Sequence, residues 1–285
     1  MSTGIGIGIA GGTFQTRAGL ASGGGGALFL LDLYGAGISA AYSVRKLSSS
    51  YTGAAIRVRE TSGNTETDIG FDSNGNLDEA ALSAYTSMPG MSGFIVKWYD
   101  QSGNGRDATQ STSTRQMRIV NSNVIDKIGA RVAPVSIAAR TFYTPSSVIS
   151  VTPPQTSFAA IKSSLTSGTN HFIGETLSGT YRFSGRTDFL LLNGGSSISA
   201  SGISQAHMVA VGLANGASSE IRANGLQVAT GNTSGNAYSI NEVFGVNGTT
   251  NFEGNMQEIL IYTADKTSDF SNIETDINTY YSIYS

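Results

Sequence analysis

The chain has 285 residues, a formal net charge of −3, a sequence pI of about 5.4 and no cysteine. The lack of a basic block disfavours nucleic acid as a partner, because phosphate neutralisation needs clustered Lys and Arg. Zero cysteines exclude a disulfide framework, a thiolate nucleophile and thiolate metal ligation together. Glycine fills 36 positions, nearly twice the usual share, and charged residues make up 13%, about half of it. Such a chain is poor material for long salt-bridged helices and is expected to form one large all-β domain. The opening residues lack the basic and apolar regions of a secretory signal, and no stretch reaches membrane-spanning length, so neither a secretory route nor a membrane partner is expected.

Residues 1–26 hold ten glycines, with Gly4, Gly6 and Gly8 alternating with Ile5, Ile7 and Ile9. Period-2 isoleucines suit an extended strand added to a partner surface, with Ile5, Ile7, Ile9 and Phe14 as the anchoring residues; the glycine content equally suits a disordered leader. Residues 27–285 then form the folded domain. Residues 27–34, ALFLLDLY, read as a buried strand or short apolar segment. Ala40, Ala41, Val44 and Leu47, spaced by three and four, predict a helix over 38–47. Strands follow at 55–59 and 67–71. Asn76 or Asp78 can cap a short helix, Glu79–Tyr85, with Ala81, Leu82 and Tyr85 inward.

The stretch 94–109, FIVKWYDQSGNGRDAT, joins a strand of alternating pattern to a specific turn. Asp100 and Ser102 can bond nearby backbone amides, and Asn104-Gly105 tolerates positive φ, so a second strand is expected at 107–110. Asp100, Asn104 and Asp107 also offer oxygens of the kind a hard cation or a sugar hydroxyl uses, but they fall short of a complete calcium loop. Trp98, the single tryptophan, and Tyr99 could supply stacking faces, or fill the core. Trp98, Tyr99, Asp100, Asn104 and Asp188 are the candidate carbohydrate-binding residues. No cofactor or metal is expected; calcium is conceivable but lacks a full ligand set.

The second half contains short apolar or alternating segments at 158–162, 171–175, 181–184, 189–193, 207–213, 220–223, 226–230, 242–246 and 256–262, separated by Gly-rich turns. Asn224-Gly225 is the clearest hairpin signal. Many strands at roughly ten-residue spacing point to an antiparallel sandwich. A closing helix is expected from Phe270, Ile273, Ile277, Tyr280 and Tyr284, capped by Thr267 or Ser268.

The segments SSYTGAAIRVR (49–59), DIGFDSNGNLDEAAL (68–82) and the strand ending WYDQSGNGRDATQ resemble the catalytic domain of arabinofuranosidase B-type enzymes. They are also similar to a set of non-enzymatic relatives among phage virion proteins. The resemblance implies a concanavalin A-like antiparallel β-sandwich (jelly roll), with a few short helices and the extended Gly-rich N-terminal arm. It also frames the catalytic question. A retaining glycosidase needs two carboxyl groups, one nucleophile and one acid/base. In the family the acid/base is an Asp in a Gly-Gly-Asp-Asn-Ser stretch, and the matching residues 246–251 hold no carboxylate. The nucleophile is a Glu in an Asp-Met-Glu-Asn-Asn stretch; residues 184–188 match it best, without a Glu at the matching position. The family's vicinal cysteine pair is missing too.

Other catalytic readings are weaker. His171 and His207 sit in strand-like segments, and Glu253 and Glu258 fall on opposite faces of a regular strand. The resulting expectation is a non-enzymatic phage virion structural protein with no catalytic residues, a capsid decoration or a head-fibre or tail-fibre component. It would sit on the virion surface after assembly in the host cytoplasm, partnered by capsid or fibre proteins and host-surface glycans, as a homo-oligomer. The alternatives are a carbohydrate-binding adhesin and an arabinofuranosidase-like glycoside hydrolase, for which Glu175 and Asp188 are the first carboxylates to consider.

Overall fold

The structure is a computed structural model that describes residues 28–136, 141–165, 170–175, 181–203, 207–246 and 252–285. The arm residues Ile5, Ile7, Ile9 and Phe14 lie outside the described residues. The fold is an antiparallel β-sandwich, with three short α-helices among the described residues. The spine of its larger sheet runs Thr144–Pro145, Ala108–Thr109, Gly93–Trp98, Arg118–Asn121, Val135–Ser136, Gly254–Tyr262, Gln155–Ser163, His207–Ala214, Ser219–Ala223, Leu226–Gly231. The smaller sheet has the order Ser197–Ser201, Phe189–Gly194, Tyr181–Arg186, His171–Gly174, Glu242–Val243.

The two sheets meet face to face. Gly212, in a larger-sheet strand, lies so close to the smaller sheet that a Cβ there would come within 3.1 Å of Leu192 and 3.3 Å of Phe183. Leu190, Leu192, Ile198 and Phe183 alternate inward along the smaller sheet and are buried with Phe158, Val209 and Val211 of the larger one. The period-2 pattern places these residues in the core.

Two expectations about the first elements are corrected. Residues 38–43 form a strand, Ile38–Ser43, paired with Gly254–Tyr262 in the register Ala41↔Leu260 and Tyr42↔Ile259. Ser39 to Ser43 are all buried, and a strand covered on both faces shows a near-continuous apolar run that periodicity alone does not separate from a helix. Residues 30–34 are instead a single helical turn, Leu30–Tyr34, in which Asp32 accepts from the Phe29 amide at 2.8 Å. Leucine-rich and without β-branched residues, that segment has helix propensity and no strand partner.

Other local signals match the fold. Asp78 caps the Glu79–Tyr85 helix by accepting from the Ala81 amide. Asn224 and Gly225 both have positive φ, at 51° and 79°, as a primed hairpin turn requires. The last helix spans Phe270–Tyr281, and its Phe270 ring sits edge-on to Phe158 at 6.0 Å. Thr267 and Ser268 do not cap it: they form a 3₁₀ turn, and the Thr267 hydroxyl bonds back to Asp265.

Candidate functional site

The DQSGNG turn is a clasp. The Asp100 carboxylate accepts from the amides of Ala41, Ser102 and Arg106, each at 2.9 Å, and from the Ser102 hydroxyl at 2.8 Å. Asn104 Nδ2 donates to the carbonyls of Ile38 and Ser39, and Gln101 bonds the Leu47 amide and the Ser43 and Arg45 carbonyls. Backbone of the 38–47 segment is thereby satisfied by side chains 54 to 66 residues away in sequence. Trp98 is fully buried and stacks on Phe244 with centroids 4.2 Å apart. It presents no face to a sugar, which corrects its reading as a stacking residue. Tyr99 is half-buried, donating to Asp68 Oδ1 at 2.8 Å with the Lys97 ammonium over its ring. Among the described residues no group of three or more His, Cys, Asp or Glu could hold a metal ion.

The smaller sheet offers a chemically richer surface. Its inward residues leave Arg182, Arg186, Phe189, Leu191, Asn193 and the serines 197, 199 and 201 on the outer face, with Ser184 on the same side but fully buried. Register aligns them in rows across the strands: His171↔Ser184↔Leu191↔Ser199, and Glu242↔Gly174↔Arg182↔Asn193↔Ser197. A bulge between His171 and Ile173 turns Phe172 inward, where it packs on Phe183 at 4.7 Å, and leaves His171 in the outer row.

His171 is held between two partners. Arg182 Nη1 lies 3.2 Å from Nε2, and Ser184 Oγ lies 2.5 Å from Nδ1. Since a guanidinium only donates, Nε2 is the acceptor and Nδ1 carries the proton towards Ser184. Burial first, and then the Arg182 charge, push the imidazole pKa down to about 4. A neutral imidazole that donates to a hydroxyl is the reverse of the polarity in a serine nucleophile–base pair, so this trio, with His171 and Ser184 buried, is a positioning relay and not a nucleophile.

Two carboxylates stand at one end of this sheet. Glu175 follows Gly174, and its amide donates to the Tyr181 carbonyl at 3.1 Å. Glu242 is the register partner of Gly174, locked by the Asn241 amide donating to the Gly174 carbonyl at 3.1 Å. In sequence, the Glu242–Val243 strand is soon followed by residues 246–251, where the resemblance places the family's acid/base; of that stretch, residues 247–251 lie outside the described residues. Asp188 is at the opposite end. It sits in the turn after Tyr181–Arg186, exposed and paired with Arg186 at 2.6 Å, which holds its pKa below the usual carboxylate range. A six-residue strand spans about 20 Å, so Glu175 and Asp188 do not act on one bond. Glu242 was not singled out from sequence, because its place beside Gly174 depends on a pairing across 68 residues. Glu258 is buried under Arg45, and Glu253 is exposed at the start of the strand.

The family model of the α-L-arabinofuranosidase B catalytic domain matches residues 31–181, just over half of the chain. Among solved structures, the fold is similar to an arabinofuranosidase complexed with arabinofuranosyl-α-1,2-xylobiose, at 16% identity and a TM-score of 0.68 over 89% of this chain and 65% of that one. It is also similar to a GH54 α-L-arabinofuranosidase soaked with a cyclic sulfate inhibitor, at 15% identity and a TM-score of 0.69 over 89% of this chain and 66% of that one. The chain thus spans just under two thirds of the length of these structures. A search of curated protein sequences gives no significant match. The family match overturns the expectation of a non-enzymatic virion structural protein, and nothing in these comparisons links the chain to a phage particle, a capsid or a fibre. The expectation of lost catalysis rested on two short stretches aligned by sequence and on the missing cysteine pair; it weighed Glu175 but not Glu242, which the strand pairing sets opposite Gly174.

Proposed function

Because the chain belongs to the family of the α-L-arabinofuranosidase B catalytic domain, we propose that it is a glycoside hydrolase that cleaves α-L-arabinofuranosyl linkages on the outer face of the smaller sheet. The observation that carries this reading is the family match over residues 31–181, with Glu175, which follows Gly174 in the chain, and the buried Glu242, which is opposed to Gly174 in register, as the candidate carboxylates. Glu242 shares the face of Gly174 and Arg182, whereas Glu175 follows the end of its strand in the register of Tyr181, so a retaining separation of about 5 to 5.5 Å requires the backbone after Gly174 to turn the Glu175 carboxylate towards the face of Glu242.

In this scheme Glu175 attacks the anomeric carbon while Glu242 donates a proton to the departing glycosidic oxygen, leaving an arabinosyl ester on Glu175. Glu242, now ionised, takes a proton from water as the water displaces Glu175. Arg182 and Asn193, in the row beside Gly174, face the sugar and its leaving group with donors. The buried His171–Ser184 pair fixes Arg182 from behind.

Hydrolysis of 4-nitrophenyl α-L-arabinofuranoside by the whole chain tests the reading. The wild type is expected to release nitrophenol, with kcat falling by about 10³-fold or more in Glu175→Gln and in Glu242→Gln. Turnover that survives both substitutions, or no turnover by a folded wild type, overturns it.

A further inference from the structure

A second concavity lies away from the smaller sheet. The loop after Phe71, the start of the Glu79–Tyr85 helix, residues 130–132 and Tyr280 enclose a cleft of about 250 Å³. Its floor is apolar, made of the buried Val44, Leu77 and Val132. Across it lies Arg131, whose guanidinium sits 4.0 Å from the centroid of the Tyr280 ring. Arg131 Nε donates to the Tyr280 carbonyl at 2.8 Å and Nη1 to Asn76 Oδ1 at 2.9 Å. The Tyr280 hydroxyl donates to the same Asn76 oxygen at 3.0 Å, and Asn76 Nδ2 donates to Asp72 at 3.0 Å.

These bonds hold the guanidinium rigidly without neutralising it. Among the described residues Arg131 makes only those two hydrogen bonds and its contact with Tyr280, so both Nη2 protons remain for a ligand. On the facing wall Asp78 uses one oxygen to cap the Ala81 amide and keeps the other. Fixed donors and fixed acceptors therefore face each other over an apolar floor, an arrangement that suits vicinal hydroxyls.

We propose that this cleft is a sugar-binding site separate from the catalytic face and that it holds one neutral monosaccharide residue. Size and charge select that class. Pockets for drug-sized ligands run from about 300 to 1,000 Å³, so 250 Å³ takes a single ring and not a chain. An anion would meet Asp72, Asp78 and Glu79, and a cation would meet Arg131, whereas a neutral polyol uses both. The choice of arabinose as its probe rests on the glycoside hydrolase reading; the site itself does not. In a glycan-degrading chain, such a site would hold a side residue of a polymer while another is cleaved.

The test is an L-arabinose titration of the full chain by amide NMR, following Asn76, Ala80 and Arg131. It is run on the wild type, on Ala80→Trp, which fills the cleft from an exposed rim position, on Arg131→Gln and on Glu175→Gln. Saturable shifts at the three amides are expected in the wild type and in Glu175→Gln, with affinity weakened about tenfold or more in Ala80→Trp and Arg131→Gln. Absence of those shifts, or shifts indifferent to both cleft substitutions, overturns the site. If the wild type fails to hydrolyse arabinofuranosides yet shows the shifts and their loss in Ala80→Trp, the catalytic reading falls and the sugar site stands.

Discussion

Arg45 and Glu258 form a two-pronged ion pair inside the protein, Nε to Oε2 at 2.7 Å and Nη2 to Oε1 at 2.9 Å, with side-chain exposures of 2% and 0%. Arg45 follows the Ile38–Ser43 strand, Glu258 lies in the neighbouring Gly254–Tyr262 strand, and the hydroxyls of Ser43 and Tyr281 bond the same carboxylate at 2.8 and 3.2 Å. Arg45 also pairs with Asp276 of the last helix at 2.5 Å. One buried cluster thus joins two strands of the larger sheet to the helix that covers them.

Removing Glu258 takes away two of the three charged contacts of the buried Arg45 and leaves only Asp276 to offset it. Glu258→Ala is expected to lower the free energy of unfolding by about 3 to 5 kcal/mol, whereas Arg57→Ala, which breaks the exposed pair with Asp68, costs less than about 1 kcal/mol. Urea unfolding of both variants checks the contrast; equal losses would show that burial does not set the difference.

The Asp100 clasp predicts a purely structural effect. Asp100→Ala strands three backbone amides and one hydroxyl and is expected to cost about 3 kcal/mol, with the KM of the folded remainder for an arabinofuranoside unchanged. A raised KM at unaltered stability would return the turn to the list of sugar contacts.

His171 gives the protein an acid limit. Its pKa falls from 6.5 to about 4 on folding, so between those values the unfolded chain binds the extra proton and the folded chain does not. Stability from this residue is therefore complete above about pH 6.5 and is lost as pH falls towards 4, by at most about 3 kcal/mol. The ring signals of His171 in an NMR titration should move near pH 4; a midpoint near 6.5 would mean that the imidazole is neither buried nor faced by Arg182.

Gly174 stands between the two glutamates, and a Cβ there would lie 2.8 Å from the Tyr181 carbonyl oxygen and 3.2 Å from Arg182 and Val246. Gly174→Ala is expected to push the His171–Gly174 strand from its neighbour and to lower kcat more than stability, since the strand end carries Glu175. Thermal unfolding beside kinetics on the same sample separates the two; unchanged kcat would place catalysis elsewhere.

Local chemistry made part of this fold legible in the sequence. The Asp78 cap, the Asn224-Gly225 turn and the alternation through residues 181–193 each depend on a few adjacent residues, and each appears where the pattern places it. Long-range pairing was not legible. The 38–43 segment is a strand because Gly254–Tyr262 pairs with it, and Trp98 is buried because Phe244, far along the chain, closes over it. The same holds for the site. Glu175 could be named from sequence as a carboxylate, but its neighbour Glu242 emerges only from the Gly174↔Glu242 register, and Asp188 is excluded only by lying at the far end of its strand.

The proposed reaction bonds the Glu175 carboxylate to the sugar. The measurement that tests this most directly is peptide mass spectrometry of the protein after reaction with a mechanism-based arabinofuranosyl inhibitor. It should place one adduct on Glu175, and none should form at that peptide in Glu175→Gln. An adduct on a different carboxylate, or labelling that persists in Glu175→Gln, would contradict the account.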